Sequence, residues 1–165
     1  MSPDLFWIVG PWRGRLAIAA RPRGGDWLED EITGWRLAGI DIVVSLLESH
    51  EAGDLDLLLE PHVAEANGIH FLSFPIPDRG VPASVSAAIA LMADVASALN
   101  DGKNVAVHCR QGIGRSGLIA AGILAASGVS PEDSIQAVSA ARGIAVPETS
   151  GQVLWLRRLP APTSF

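Results

Sequence analysis

The chain of 165 residues has one cysteine and fewer basic than acidic side chains. One cysteine excludes a disulfide within the chain and any metal site built from several cysteines. The 12 Lys and Arg residues against 18 Asp and Glu residues give a formal net charge of −6. This sign is wrong for a protein that holds nucleic acid or anionic lipid by releasing counterions. We therefore expect no nucleic-acid partner, and any bound anion needs a local pocket.

Long apolar runs and an export signal are also missing. The longest weakly polar run, residues 117–129, would reach roughly 20 Å as a helix, against about 30 Å for the hydrocarbon core of a bilayer. We expect a buried helix there and no membrane span. The first 15 residues lack a basic region followed by an apolar core, so we expect no export. Together with a single cysteine, which suits a reducing compartment, this predicts a cytoplasmic protein.

With 48% hydrophobic and 18% charged residues, the chain has enough apolar side chains to form a hydrophobic core. The length favours one domain, here residues 1–165. Five short runs rich in Val, Ile, Leu and Phe are typical of strands and cover residues 6–9, 16–20, 42–47, 69–74 and 105–108. Helical patterns cover residues 26–37, 61–67, 84–99, 116–126, 131–142 and 149–158. This alternation predicts an α/β fold with a central, mostly parallel sheet flanked by helices.

One helix carries clear signals at both ends. Ser130 and Pro131 are an N-cap serine and a proline at the first helical position. Two acidic residues complete the first turn, and Gly143 follows Arg142 where a helix would stop. These signals predict a helix from Pro131 to Arg142.

Chemistry-bearing residues are concentrated between residues 107 and 117, where a strand ends, a glycine-containing loop follows and an apolar helix begins. Cys109 stands at the strand end, where converging backbone N–H groups and a helix N-terminus favour negative charge. A thiol there should have a lowered pKa and act as a nucleophile. Arg115 can hold two oxygens of a phosphate with its planar fork. The alternatives are a buried packing cysteine and a nucleotide-binding loop, but both glycine-rich nucleotide motifs are incomplete.

The same residues resemble the signature of the cysteine-dependent protein tyrosine and dual-specificity phosphatases: His108-Cys109, five residues, then Arg115-Ser116. Residues 74–80, which we name the acid loop, resemble the mobile general-acid loop of that family, and Asp78 lies 31 residues before Cys109. Residues 130–143 are similar to the cyclin-dependent-kinase-associated phosphatase group. The resemblance covers about residues 40–159 and leaves residues 1–39 as scaffold.

The resemblance implies a phosphate-binding loop between a strand and a helix, and a phosphocysteine intermediate. Cys109 would be the nucleophile, Asp78 the general acid, Arg115 the phosphate clamp, and Ser116 the hydroxyl that stabilises the leaving thiolate. His108 would orient the loop. It implies no metal and no cofactor. The loop residues implied to bind phosphate, sulfate or vanadate, besides Arg115, are Arg110, Gln111, Gly112, Ile113 and Gly114.

Two of these residues have plainer interpretations. Asp78 lies in a Pro-Asp-x-Gly sequence, which is ideal for a turn. Gln152 either positions the hydrolytic water or caps a helix, since Thr149 and Gln152 have capping-box spacing.

Three functions compete at this point. The first is a protein phosphatase acting on phosphotyrosine and, by extension, on phosphoserine and phosphothreonine. The second is a phosphatase of the same fold acting on a phosphoinositide or a small phosphorylated metabolite. The third is an inactive phosphate-binding module. The full set of Cys109, Arg115, Asp78 and Ser116 disfavours the third, and a single cation with Ile113 inside the loop favours a substrate with one phosphate.

Overall fold

The computed structural model describes residues 4–162 and contains one five-stranded sheet among them. The strands lie where the apolar runs predict them: the last has the predicted bounds, and the other four are shorter by one or two residues. Their bounds are β1 (Phe6–Ile8), β2 (Leu16–Ala19), β3 (Ile42–Ser45), β4 (His70–Ser73) and β5 (Val105–His108). The strand order is β1-β2-β5-β3-β4, with β1 antiparallel to β2 and every other pair parallel. The predicted α/β class with a mostly parallel sheet is confirmed.

Seven α-helices within the described residues flank this sheet. They are α1 (Leu28–Leu37), α2 (Ser49–Asp54), α3 (Glu60–Ala66), α4 (Val85–Asn100), α5 (Gly114–Ala126), α6 (Pro131–Arg142) and α7 (Ser150–Arg157). Six of them match predicted helical segments with shifts of one or two residues at most ends. The sequence pattern missed α2, because six residues with one apolar side chain show no helical periodicity.

The core forms two layers, one on each face of the sheet. Val105 and Val107 of β5 face one layer while Ala106 faces the other, as the two-residue period of a strand requires. The first layer packs α4 and α5 against the sheet, and the second packs α1 and α3. The helix predicted to be buried, α5, has every residue from Arg115 to Ala125 inside the protein.

The end signals of α6 are confirmed. The Ser130 hydroxyl accepts a hydrogen bond from the N–H of Asp133 at 3.1 Å. Gly143 has a φ of +83°, the left-handed conformation that stops a helix. These signals act within a few residues, which is why the sequence alone places this helix.

The central strand β5 lies between β2 and β3, and its last residue, His108, pairs in register with Ala19 and Ser45. The carboxyl ends of three parallel strands therefore meet at one edge. Ligands of open α/β sheets bind at such an edge. Among residues 4–162, no helix is both long and apolar enough to cross a membrane.

Candidate active site

The loop of residues 109–114, here the signature loop, leaves β5 and runs into α5. It curves tightly enough to need glycine at residue 112. Gly112 has a φ of +71°, and a Cβ there would lie 2.6–2.8 Å from backbone atoms of Ala19 and Ala20. Any side chain would push the loop away from β2. Gly112 thus allows the loop to close over the sheet edge.

Cys109 lies at the base of this loop with 3% of its surface exposed. Burial by itself raises the pKa of the thiol. The Ser116 hydroxyl and the N–H groups of Ser116, Ile113 and Gly112 outweigh burial, so the pKa of Cys109 lies below its ordinary value. This environment favours the thiolate, the form that attacks an electrophile.

Ser116 is fully buried in the first turn of α5. Its hydroxyl lowers the pKa of Cys109, yet the oxygen meets hydrogen-bond geometry with no group in the described chain. An unpaired buried hydroxyl costs stability. Its placement beside the thiol therefore fits a donor kept for a sulfur anion.

Arg115 is buried to 1% side-chain exposure and held by an acid that the sequence analysis missed. Its Nη1 and Nη2 donate to Oε1 and Oε2 of Glu51 at 2.6 and 2.9 Å, a two-point carboxylate grip. Nη1 also donates to the carbonyl oxygen of Ile76 at 2.9 Å. These contacts fix the plane of the guanidinium beside Cys109.

Glu51 lies in α2, with 2% of its surface exposed. Hydrogen bonds from Arg115 lower the pKa of its carboxyl from 4.5 to about 2, against the opposing effect of burial. The N–H of Glu48 adds to the lowering through the capping box of α2. The buried carboxylate stays ionised opposite the guanidinium.

Acid should weaken the fold through Glu51. Because the folded pKa lies below the unfolded value, this stabilisation is complete above pH 4.5 and is lost as pH falls from about 4.5 to about 2. Glu51→Gln should remove that part of the acid dependence and cost roughly 3–5 kcal/mol near neutral pH, since it leaves a buried cation without its anion. Urea unfolding at a series of pH values measures both effects.

Glu132→Gln is the matched control, because the Glu132–Arg157 ion pair lies in solvent. Exposed pairs contribute little, so this variant should change the acid slope much less. Equal slopes in the two variants would contradict the role assigned to Glu51.

His108 is completely buried beneath the signature loop. Like Arg115, it pairs with an acidic side chain that the sequence analysis did not predict. Its Nε2 lies 2.7 Å from Oε2 of Glu60, and its Nδ1 lies 3.3 Å from the carbonyl oxygen of Cys109. Burial lowers the pKa of His108, but the charge and hydrogen bond of Glu60 raise it above its ordinary value. The ring links α3 to the backbone of Cys109, a position suited to orienting the loop.

The acid loop brings Asp78 to the same site. Oδ1 of Asp78 lies 3.3 Å from Nη2 of Arg115, and the side chain is 64% exposed. A turn with Gly80 N–H donating to the Pro77 carbonyl at 2.8 Å shapes the loop. Arg79 pairs with Glu148 at 3.0 Å. Residues far apart in sequence therefore hold Asp78 above the signature loop.

Gln152 is a helix cap, as one of its two sequence interpretations predicts. Its Oε1 accepts hydrogen bonds from the N–H groups of Glu148 and Thr149, each at 3.1 Å, while the Thr149 hydroxyl accepts from the N–H of Gln152. Its Nε2 donates to the carbonyl oxygen of Gly80 at 3.0 Å. Gln152 thus ties the start of α7 to the acid loop.

A pocket of about 160 Å³ opens over these residues. The lining consists of Asp78, Arg79, Cys109, Arg110, Gln111, Ile113, Gly114, Arg115 and Glu148. The other four predicted site residues lie outside it: Gly112, Ser116, His108 and Gln152. Arg79 and Glu148 were missed by the sequence analysis. An Asp-Arg dipeptide is an ordinary turn sequence, and nothing in the local pattern pairs residue 79 with residue 148.

Comparisons with known proteins identify similarity to phosphatases. The model of the family Tc-R-P, described as "Polymorphic toxin system, DSP-PTPase phosphatase", matches residues 18–129. Among curated proteins, Protein tyrosine phosphatase domain-containing protein 1 of Danio rerio is 32% identical over 136 residues, 76% of this chain and 18% of that protein. Across the curated relatives it matches, the chain spans between 17% and 56% of their lengths.

Two solved structures extend the similarity over almost the whole chain. Tk-PTP in its active form is 31% identical with a TM-score of 0.78, covering 96% of this chain and 97% of that one. Kinase associated phosphatase, solved with serine in place of its catalytic site cysteine, has a TM-score of 0.86 at 20% identity, covering 94% and 93%. This match confirms the fold. Since the family model spans well over half of the chain, the chain belongs to the DSP-PTPase family of phosphatases.

Proposed function

We propose that this phosphatase removes phosphate from phosphotyrosine and, by extension, from phosphoserine and phosphothreonine in proteins, through a phosphocysteine intermediate. The observation that carries the proposal is the convergence of Cys109, Arg115 and Asp78 on one pocket. A thiol with a lowered pKa, a fixed guanidinium and an exposed carboxyl are the three groups that this hydrolysis needs.

In the first step, Sγ of Cys109 attacks phosphorus and an S–P bond forms as the P–O bond to the substrate breaks. Arg115 and the N–H groups of the signature loop bind the equatorial phosphate oxygens. The neutral carboxyl of Asp78 gives its proton to the leaving oxygen, so the product departs as an alcohol or a phenol. Arg115 has Nε free of protein hydrogen bonds among the described residues, which leaves it for a phosphate oxygen.

In the second step, the carboxylate of Asp78 takes a proton from water while the water oxygen attacks phosphorus. The S–P bond breaks, and the electron pair returns to sulfur as the thiolate. The Ser116 hydroxyl donates a hydrogen bond to that anion, which fits the absence of another partner for it among residues 4–162. Inorganic phosphate then leaves, and Asp78 holds the proton needed for the next cycle.

Asp78→Asn should reveal the general acid through its dependence on the leaving group. We expect a loss of about 100-fold or more on a phenyl or alkyl phosphate, since general acid catalysis contributes on that order. An activated aryl phosphate, whose leaving oxygen needs little protonation, should lose much less. Steady-state kinetics on both substrates measures the ratio.

Asp94→Asn, an exposed aspartate on α4, serves as the control and should leave both rates unchanged. Equal losses on the two substrates in Asp78→Asn would remove Asp78 from the proton-transfer role.

The substrate class is tested by a panel rather than by one compound. Its members are phosphotyrosine, phosphoserine and phosphothreonine peptides, a phosphoinositide in vesicles, and small phosphorylated metabolites. The phosphoinositide is included because PTPMT1, solved in complex with PI(5)P, matches this chain with a TM-score of 0.71 at 20% identity. Against this substrate, residues 110–114 of the signature loop contain one cationic residue, Arg110, and the apolar Ile113. This composition favours a substrate with a single phosphate.

We expect phosphotyrosine peptides to be hydrolysed fastest. Turnover confined to the phosphoinositide or to a metabolite would replace the protein substrate with that class. Phosphate binding without turnover on any member would favour the inactive module.

A further inference from the structure

Arg142, the last residue of α6, reaches the outside of the signature loop. Its Nε donates to the carbonyl oxygen of Gly112 at 3.0 Å, and its Nη2 lies 3.5 Å from that of Gln111. The guanidinium also stacks on the ring of Phe6 with 4.1 Å between its central carbon and the ring centre. Arg142 is therefore held between β1 and the loop, outside the lining of the pocket.

The two carbonyls belong to consecutive peptide groups. In a planar trans peptide the C=O and the next N–H point in opposite directions. The carbonyl of Gln111 therefore shares its peptide with the N–H of Gly112, and the carbonyl of Gly112 shares its peptide with the N–H of Ile113. Holding both carbonyls outward turns both N–H groups inward, toward the base of the loop where Cys109 lies.

The charge of Arg142 strengthens this arrangement. Over residues 4–162, no carboxylate forms an ion pair with it, so its charge is directed at the two carbonyl oxygens. A cation at the carbonyl end of a peptide group polarises the N–H at the other end. The N–H groups of Gly112 and Ile113 are two of the groups that favour the Cys109 thiolate.

We propose that Arg142 is a positioning residue of the signature loop, which it holds from outside so that the N–H groups of Gly112 and Ile113 face Cys109 and the bound phosphate. This inference deepens the proposed function and rests on Cys109 as the nucleophile. Arg142 touches neither substrate nor sulfur. It acts through two peptide groups, although it lies 33 residues after Cys109 in the chain.

Other ionisable groups surround the thiol. The charges of His108 in β5 and Arg115 in α5 interact with that of Cys109. Around these two lie Glu60 of α3, paired with His108, and Glu51 of α2, Asp78 of the acid loop and Arg110 of the signature loop, which pair with Arg115 or with each other. The substitution of Arg142 leaves all of them in place. A change in the titration of Cys109 in such a variant therefore reports the lost contact with the loop carbonyls.

The test is the pH dependence of Cys109 alkylation by iodoacetamide, read by the mass of the intact chain. With one cysteine in the sequence, the modified residue is unambiguous. Arg142→Met keeps an unbranched side chain to pack on Phe6 but removes the charge and the donors. We expect the alkylation midpoint to rise by about one pH unit and kcat/KM to fall about 10- to 100-fold. Vanadate affinity should fall in parallel.

Arg142→Lys keeps a charge without the planar fork, so its alkylation midpoint should lie between those of the wild type and Arg142→Met. Arg158→Met, an exposed arginine at the end of α7, is the control and should match the wild type. If Arg142→Met fails to fold, Phe6→Leu, which removes the stacking surface, and Arg142→Lys should still give intermediate shifts.

The outcomes separate this inference from the proposed function. A low wild-type midpoint that stays unchanged in Arg142→Met, Arg142→Lys and Phe6→Leu would overturn the role of Arg142 alone. An ordinary thiol midpoint in the wild type, together with activity retained in Cys109→Ser, would overturn the proposed function itself.

Discussion

Replacing Cys109 with serine is expected to abolish turnover while the protein still binds vanadate or phosphate. Serine fills nearly the same space as cysteine but is not ionised at neutral pH, so the nucleophile is lost. The signature-loop N–H groups and the guanidinium of Arg115, held by Glu51, remain in place to hold an oxyanion. We expect kcat to fall by about 10⁴-fold or more, since removing a nucleophile costs on that order in other enzymes.

Two measurements on the Cys109→Ser protein check this result. Steady-state hydrolysis of an aryl phosphate reports turnover, and calorimetric titration with inorganic phosphate reports binding. Thermal unfolding of the same sample shows that the fold is intact. Steady-state activity above the uncatalysed rate would contradict the phosphocysteine mechanism. Loss of both binding and the folded state would require Cys109→Ala as a second variant.

Replacing Arg115 with lysine should give the second largest loss. Lysine supplies one ammonium where arginine supplies a planar fork. It cannot meet both oxygens of Glu51 and the carbonyl of Ile76 while also holding a phosphate. We expect kcat/KM to fall about 1000-fold, the upper range for removing a donor to a transition-state oxyanion. The free energy of unfolding should fall by about 2–4 kcal/mol, because buried acceptors lose their donors.

Arg36→Lys is the matched control for this substitution. Arg36 also pairs with a carboxylate, that of Asp41 at 2.9 Å, but in a partly exposed position on α1 far from the signature loop in the chain. Its activity should equal that of the wild type, and its unfolding free energy should change by less than about 1 kcal/mol. Activity near the wild-type level in Arg115→Lys would reduce Arg115 to a structural residue of the loop.

The sequence alone located the signature loop because its information is local. Cys109, Gly112 and Arg115 lie within one strand–loop–helix unit, so their spacing is set by the chain itself. The same holds for α6, whose two end signals lie at its own termini. The assignment of residues 1–165 to one domain and the cytoplasmic location stay predictions.

The two buried acids show where such prediction ends. Glu51 reaches Arg115 across 64 residues of chain, and Glu60 reaches His108 across 48. In the sequence, Glu51 sits in a polar segment and Glu60 precedes Pro61 at a helix start, where an exposed acid is common. The short helix α2 was missed because it has no apolar periodicity. Its capping box and the ion pair of Glu51 stabilise it instead.

By itself, the sequence determined the α/β class, the signature loop and the residue types to which we assign the chemistry, because periodicity, helix ends and motif spacing act over a few residues. The tertiary structure alone decided which groups hold that chemistry in place. Glu51 fixes the guanidinium of Arg115, Arg142 holds the outer face of the loop, and Gln152 ties down the acid loop. A buried charge needs a partner, and the chain meets that need wherever folding brings a complementary group within reach, irrespective of distance in sequence.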